Sequence, residues 1–401
     1  MGGADMTRQG TQRYVFTAVA LLLLSAGWAA NHFTSLLGVL REQENLSGVL
    51  VNGAFGIYAL GLLPSLLGGG ALADRVGARR VVLSGGIIAA VGNLSLLFWH
   101  GGGGLLLGRF IVGLGVGLVV SAGTAWAGRL RGASGVTLAG IFLTSGFASG
   151  PIVSGLLAYV LPPEWALPVP FAVSSLLSFA AVGLALLIGD GAEEKEQGGR
   201  KANAPAIRPP ENRSVGRALA ASLPIALWVF SCVTTGMVIL AGRVADRFDN
   251  GVLLPGLAAF LVFSAGLGVQ MLSRNRGWGP GAGVVGAGLA TVGFALAGVG
   301  GQAPPLWLFV VGCLLLGLAY GLCLQQGLLD VERLAPRESH GAVVGVFYVF
   351  TYLGFALPVT LEALPASVGA GLPLLVVAAV AAVCTVVRGV QLTRTDLLRR
   401  S

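Results

Sequence analysis

Gly70-Ala71-Leu72-Ala73-Asp74-Arg75-Val76-Gly77-Ala78-Arg79-Arg80 is a short, basic, glycine-punctuated break between two long apolar runs, and its reading decides the fold. The runs on either side, near 46–69 and 79–99, are each long enough to cross a bilayer, since about 20 apolar residues span ~30 Å of hydrocarbon. The break is therefore a loop between two membrane-spanning helices, and its arginines belong on the cytoplasmic side.

Working outward, the same pattern repeats. Further windows fall near 14–40, 103–125, 135–161 and 166–188, then near 218–241, 251–272, 280–300, 305–329, 340–363 and 367–388. Between the sixth and seventh lies a hydrophilic stretch, 189–217, with Glu193, Glu194, Lys195, Glu196, Arg200, Lys201 and the Pro209-Pro210 pair. The expected architecture is all-α, with twelve transmembrane helices in two pseudo-symmetric six-helix bundles, 1–188 and 218–401, joined by a cytoplasmic linker at 189–217. Composition agrees: 55% of the 401 residues are hydrophobic and only 10% charged, against roughly 25% charged in soluble domains. A soluble globular protein is excluded. The net charge of +8 reflects membrane topology rather than nucleic-acid binding.

Orientation follows from where the basic residues fall. With the N-terminus inside, 21 of the 25 Lys and Arg lie on cytoplasmic segments, Arg388 counted among them, while Arg41, Arg243 and Arg247 lie outside and Arg109 within a span. Both termini should be cytoplasmic in a multi-pass plasma-membrane protein. The run after Arg8 and Arg13 is too long for a signal-peptide core, so it reads as the retained first span. Cys232, Cys313, Cys323 and Cys384 sit in apolar runs without metal-ligand or disulfide spacing, and read as small hydrophobes.

A duplication is visible. Trp28, Asn31, His32, Thr34 and Ser35 match Trp228, Ser231, Cys232, Thr234 and Thr235; Gly113 and Gly117 match Gly317 and Gly321; Gly146-Phe147-Ala148 matches Gly354-Phe355-Ala356. Equal order and near-equal offsets favour a repeated six-helix unit of the kind that frames a midplane site in transporters.

Trp28, Asn31, His32 and Ser35 share one face of the first helix by their spacing. Trp228, Ser231, Cys232 and Thr235 repeat that face on the seventh, and Tyr348, Thr351, Tyr352 and Phe355 on the eleventh. Polar side chains facing lipid are costly, so these stripes should face a cavity; interhelical hydrogen bonding that holds the bundle together would suit them equally. Arg109 stays charged at any physiological pH and can fix an anionic group or act on a neighbour. His32, titrating near neutrality, is the proton-handling candidate. Glu362 closes the outer end of the eleventh span.

The opening stretch resembles a loop motif of the major facilitator superfamily, G-x-x-x-D-R-x-G-x-R-R, filled here by Gly70, Asp74, Arg75, Gly77, Arg79 and Arg80. The resemblance implies a conformational latch, with Asp74 able to meet a helix N-terminus. Arg109-x-x-x-Gly113-x-Gly115 is similar to a fourth-span pattern whose arginine the family associates with proton coupling. Gly146-x-x-x-Gly150-Pro151-x-x-x-Gly155 resembles the fifth-span motif of antiporters, with Ser154 in place of its first terminal glycine. The loop at Ser273 to Gly277 lacks the aspartate of a second latch, and Gly242-Arg243-Val244-Ala245-Asp246-Arg247 falls outside, where it reads as coincidence.

Motifs of hydrolases, zinc proteases and phosphate loops are missing, so no enzyme is expected. The leading reading is a monomeric, proton-coupled secondary transporter exporting a small organic molecule by alternating access, with protons, that molecule and the bilayer as partners. No cofactor, metal or nucleic acid is expected. Alternatives are an uptake symporter for a small metabolite and a non-transporting sensor of the same fold. With almost no acidic side chain deep in a span, a neutral or anionic compound suits the chain better than a strong cation.

Overall fold

The computed structural model describes residues 3–188, 213–336 and 339–394. Among them regular structure is helical, and twelve helices are long and apolar enough to cross a membrane: Arg13–Gln43, Gly48–Val76, Ala78–Phe98, Gly102–Gly132, Ser134–Val160, Pro163–Leu187, Val215–Ala245, Gly251–Arg276, Gly281–Val299, Leu306–Leu334, His340–Glu362 and Leu372–Thr393. They are numbered here as spans one to twelve. The expected linker lies outside the described residues as far as residue 212. By Val215 the chain is already helical, with the Ser214 hydroxyl accepting the Arg217 amide N–H at 3.2 Å as an N-cap.

Several helices outrun their apolar windows. Span four continues through Arg129 and Arg131 to Gly132, which breaks the helix by adopting φ 61°. Arg131, though exposed, places its guanidinium 4.0 Å over the Phe16 ring. Span seven reaches Ala245 and span ten reaches Leu334. In each case basic or acidic residues form the last helical turns, where a hydropathy window has already ended. Spans two and three are joined through Gly77 alone, at φ 95° and ψ 137°. A side chain at that φ is strained, which accounts for glycine at this position of the loop.

The described chain forms two compact units. The first holds the described residues of Met1–His32, Leu60–Gly150 and Pro168–Pro210; in it span three packs along span six, and span one packs against both. The second holds those of Phe33–Ala59, Pro151–Leu167 and Glu211–Ser401, where span nine packs on spans ten and twelve, and span ten on spans seven and eight.

The proposed duplication has a physical counterpart. A Cβ at Gly146 would collide with the Leu24 carbonyl of span one, and a Cβ at Gly354 with the Ser231 amide of span seven. The first and seventh spans also change helix type near corresponding places, the two stretches overlapping at Ser35/Thr235 and Leu36/Gly236. Span one passes into a 3-10 turn at His32–Leu36, and span seven into a π-helical stretch at Thr235–Leu240.

Candidate functional site

In the first unit a polar cluster is built on the irregularity of span one. Where an α-helix passes into a 3-10 turn the hydrogen-bond ladder changes from four residues to three, and carbonyls before the junction are available to outside donors. Ala29 and Ala30 lie just before that junction. Arg109, fully buried on span four, donates to them from Nη1 at 3.4 Å and Nη2 at 3.0 Å. A planar guanidinium with a fixed fork suits two adjacent acceptors in a way an ammonium does not.

His32, also fully buried, lies at the junction itself. Its Nε2 is 2.8 Å from Asn93 Oδ1, while Asn93 Nδ2 donates to the Ala89 carbonyl at 3.2 Å. With the amide nitrogen so employed, Oδ1 is the acceptor and the imidazole carries its hydrogen on Nε2. The ring sits edge-on to Phe171 of span six, centroids 5.3 Å apart.

The rest of the first-span stripe is engaged by span five. Pro151 has no N–H, so the carbonyl of Phe147, four residues earlier, loses its place in the ladder. Asn31 Nδ2 donates to that carbonyl at 3.4 Å. In the second unit, Ser35 Oγ donates to the Pro151 carbonyl at 2.7 Å, and Gly155 packs on Ser35 and the Val252 carbonyl. In the first unit a Cβ at Gly150 would come within 3.1 Å of the Trp28 carbonyl and the His32 amide. The antiporter-like residues Gly146, Gly150, Pro151 and Gly155 thus form the seat for span one. The second repeat has a related contact: the Thr234 hydroxyl, 3.0 Å from the Phe230 carbonyl of its own helix, also lies 3.1 Å from the Gly354 carbonyl, whose i+4 donor is lost to Pro358.

Other stripe residues serve different ends. Trp28 is buried, and its Nε1 has no hydrogen-bond partner among the described residues. Trp228 donates to the Pro224 carbonyl and packs on Phe294 of span nine; Ser231 bonds within its own helix, to the Leu227 carbonyl. Thr235 is buried at the start of the π-helical stretch with no partner for its hydroxyl among the described residues. Tyr352 stacks on Phe230 at 4.6 Å and on Phe355 at 5.5 Å, with Tyr348 at 6.4 Å; Phe55 and Tyr58 of span two complete the cluster around Phe355. Phe55, Tyr58 and Phe230 were missed in the sequence because isolated aromatics in apolar runs carry no spacing signal.

The loop residues of the opening stretch lie at one end of the first unit. Asp74 is 4.0 Å from Arg129 of span four, both side chains largely exposed. Arg79 Nη2 donates to the Ala185 and Leu186 carbonyls at the C-terminus of span six, at 3.1 and 3.4 Å, where a cation also meets the negative end of the helix dipole. Arg75 and Arg80 are exposed, and Gly70 faces open space. An exposed pair contributes only about 0–1 kcal/mol to stability. Asp74→Asn is therefore expected to leave expression and thermal stability near wild type while lowering flux about fivefold or more, as loss of a latch between conformations would. Parallel expression and flux measurements check it; wild-type flux would remove the latch.

Two sequence expectations are corrected in the second unit. Arg388, counted among the cytoplasmic residues, is fully buried within span twelve, which takes one residue from the orientation count without reversing its bias. Asp330, one residue beyond the apolar window read for the tenth span, is instead fully buried on it. Arg388 Nη2 pairs with Asp330 Oδ2, Gln326 Nε2 donates to Asp330 Oδ1 at 2.7 Å, and Arg388 Nη1 donates to the Ala221 carbonyl at 3.0 Å. Gln391 Nε2 donates at 2.9 Å to the Ala220 carbonyl that Pro224 leaves unpartnered. The spacing of Gln326 and Asp330 on one helix face, with an arginine inside the last apolar run, was the available signal.

Arg243 and Arg247 have structural tasks. Arg243 donates to the Ala297, Gly301 and Ala370 carbonyls, and Arg247 to that of Pro304. The latch-like string around them is the end of span seven.

Twelve membrane-length helices and this repeat define a multi-pass membrane transporter fold, and the comparisons agree. The chain belongs to the Major Facilitator Superfamily, whose model matches residues 17–359; members are transporters, not enzymes. Among curated proteins it is 32% identical over 107 residues to Multidrug resistance protein MdtL of Klebsiella pneumoniae (strain 342), a match that spans 26% of either chain. Among solved structures it is similar in fold to a POT family transporter in complex with a thioalcohol-conjugated peptide (TM-score 0.76, 16% identity, 94% of this chain and 96% of that one). A peptide transporter POT in complex with sulfate has TM-score 0.78, at 15% identity over 96% and 95% of the two chains.

Proposed function

We propose that this transporter couples protons to the export of a small organic molecule by alternating access. The observation that carries the reading is the buried His32–Asn93 pair next to the Arg109 fork on span one. Proton uptake at His32 would place a second positive charge close to Arg109, and like charges in a low-dielectric interior repel strongly. That repulsion acts on a helix already broken at His32, so protonation biases the conformation of span one. Export rather than uptake is supported by the span-five seat of Gly146, Gly150, Pro151 and Gly155 and by the partial likeness to a multidrug resistance protein.

The reading includes a plasma-membrane location, a monomer, two six-helix halves (1–188 and 218–401) and cytoplasmic ends and linker. Cysteines placed at Gly198 and Ser401 should be labelled only from the cytoplasm, and one at Glu44 only from outside. External labelling at Gly198 would invert the topology.

The function is tested in proteoliposomes with a compound panel, with and without an imposed proton gradient. Expected is gradient-dependent movement against the proton flow, with the pH dependence flattened in His32→Gln while substrate binding stays measurable. Movement with the proton flow would make the chain an uptake symporter, and a pH profile identical in His32→Gln and wild type would remove His32 as the carrier.

A further inference from the structure

A cavity of about 720 Å³ opens in the second unit, between the ends of spans one and two and those of spans seven, eight, eleven and twelve. We propose that it is a binding site for an amphipathic organic cation, distinct from the His32 cluster and independent of the direction and coupling of transport.

Charge is the first argument. Glu42, Asp246 and Asp249 line the cavity with exposed carboxylates that have no side-chain hydrogen bond or ion pair among the described residues. The cationic groups of the same wall are committed. Arg41 pairs with Glu362 at 3.5 Å, and Arg243 spends its guanidinium on three backbone carbonyls. With four carboxylates against two guanidiniums in the lining, a cation meets an excess of negative charge focused by a concave wall.

The buried side supplies the second argument. Thr34 also lines the cavity, is 1% exposed, and its hydroxyl has no hydrogen-bond partner among the described residues. Buried hydroxyls are nearly always satisfied, so this one is an acceptor or donor awaiting an occupant. Val51, Met237 and Phe248 add apolar, polarizable and aromatic wall between hydroxyl and rim. The volume is that of a drug-sized molecule, and an aromatic wall favours a cation over a neutral compound. The occupant is therefore a flat or globular apolar body bearing one positive charge and a polar group that reaches Thr34.

Ethidium, with a fixed charge and amine donors, is the probe. Its equilibrium binding to the purified full-length protein, followed by fluorescence anisotropy without any gradient, should be saturable. Binding should weaken about tenfold in Asp246→Asn/Asp249→Asn, a change confined to exposed positions, and with rising salt. Thr34→Val should weaken it about fivefold while Thr34→Ser keeps it. Non-saturable binding, or affinity unchanged in the double aspartate variant, overturns the site. A chain that binds ethidium in this way yet moves nothing in proteoliposomes loses only the transport reading; one that transports but binds ethidium regardless of these residues loses only the site.

Discussion

Arg109→Ala is expected to abolish gradient-driven flux, to about a tenth of wild type or less, while the protein still reaches the membrane. The side chain is fully buried and its fork closes two carbonyls of span one. Its loss removes two hydrogen bonds to the Ala29 and Ala30 carbonyls, at about 1–3 kcal/mol for a buried acceptor left unsatisfied, and removes the fixed charge that His32 is proposed to sense. The carbonyl cost falls on the one place where span one changes helix type, so that junction loosens before the bundle does. Arg109→Lys is expected not to restore flux, because a point-like ammonium cannot bridge both carbonyls in the guanidinium geometry. Flux beside expression and size-exclusion profiles measures this; full activity in the lysine variant would show that charge alone suffices.

Asp330→Ala is expected to cost about 3–5 kcal/mol, because it strands the Arg388 guanidinium in a buried position without its carboxylate. Arg388→Ala should cost a similar amount by stranding Asp330. Replacing both by apolar residues of similar volume, as in Asp330→Leu with Arg388→Met, should recover most of the loss, since a buried ion pair gains little over a well-packed apolar pair. Thermal unfolding in detergent compares the three. Single variants as stable as wild type would show that water reaches the pair.

The sequence made the helices legible because a membrane imposes a length and a hydropathy that few other structures share. It also pointed to His32, Arg109 and Asn31, since a polar residue inside an apolar run is conspicuous. Asn93, which fixes the hydrogen on His32, was not foreseen: it lies 61 residues away, and only folding brings it within 2.8 Å. Asp330 escaped for a different reason. A hydropathy window closes at the first charge whether or not that charge is paired, so the last turns of span ten read as loop. Arg388 was assigned to the cytoplasm by the same rule, although its partner sits on another helix. The stripe on span one was visible as a stripe, but its purpose was not, because carbonyls freed by Pro151 leave no mark in hydropathy.

Those proline-freed carbonyls constrain how the molecule can move. Asn31 reaches across to Phe147, and Thr234 to Gly354, each like a peg in a socket that opens because the partner helix lacks one rung. Sliding or rolling within either helix pair would withdraw the peg and leave a bare acceptor in a setting with no water to replace it. Spans one and five are then expected to travel as one lever, and spans seven and eleven as another. Rocking between states is left to the seams around these levers, so tethers across one–five or seven–eleven should be tolerated where tethers elsewhere arrest the cycle.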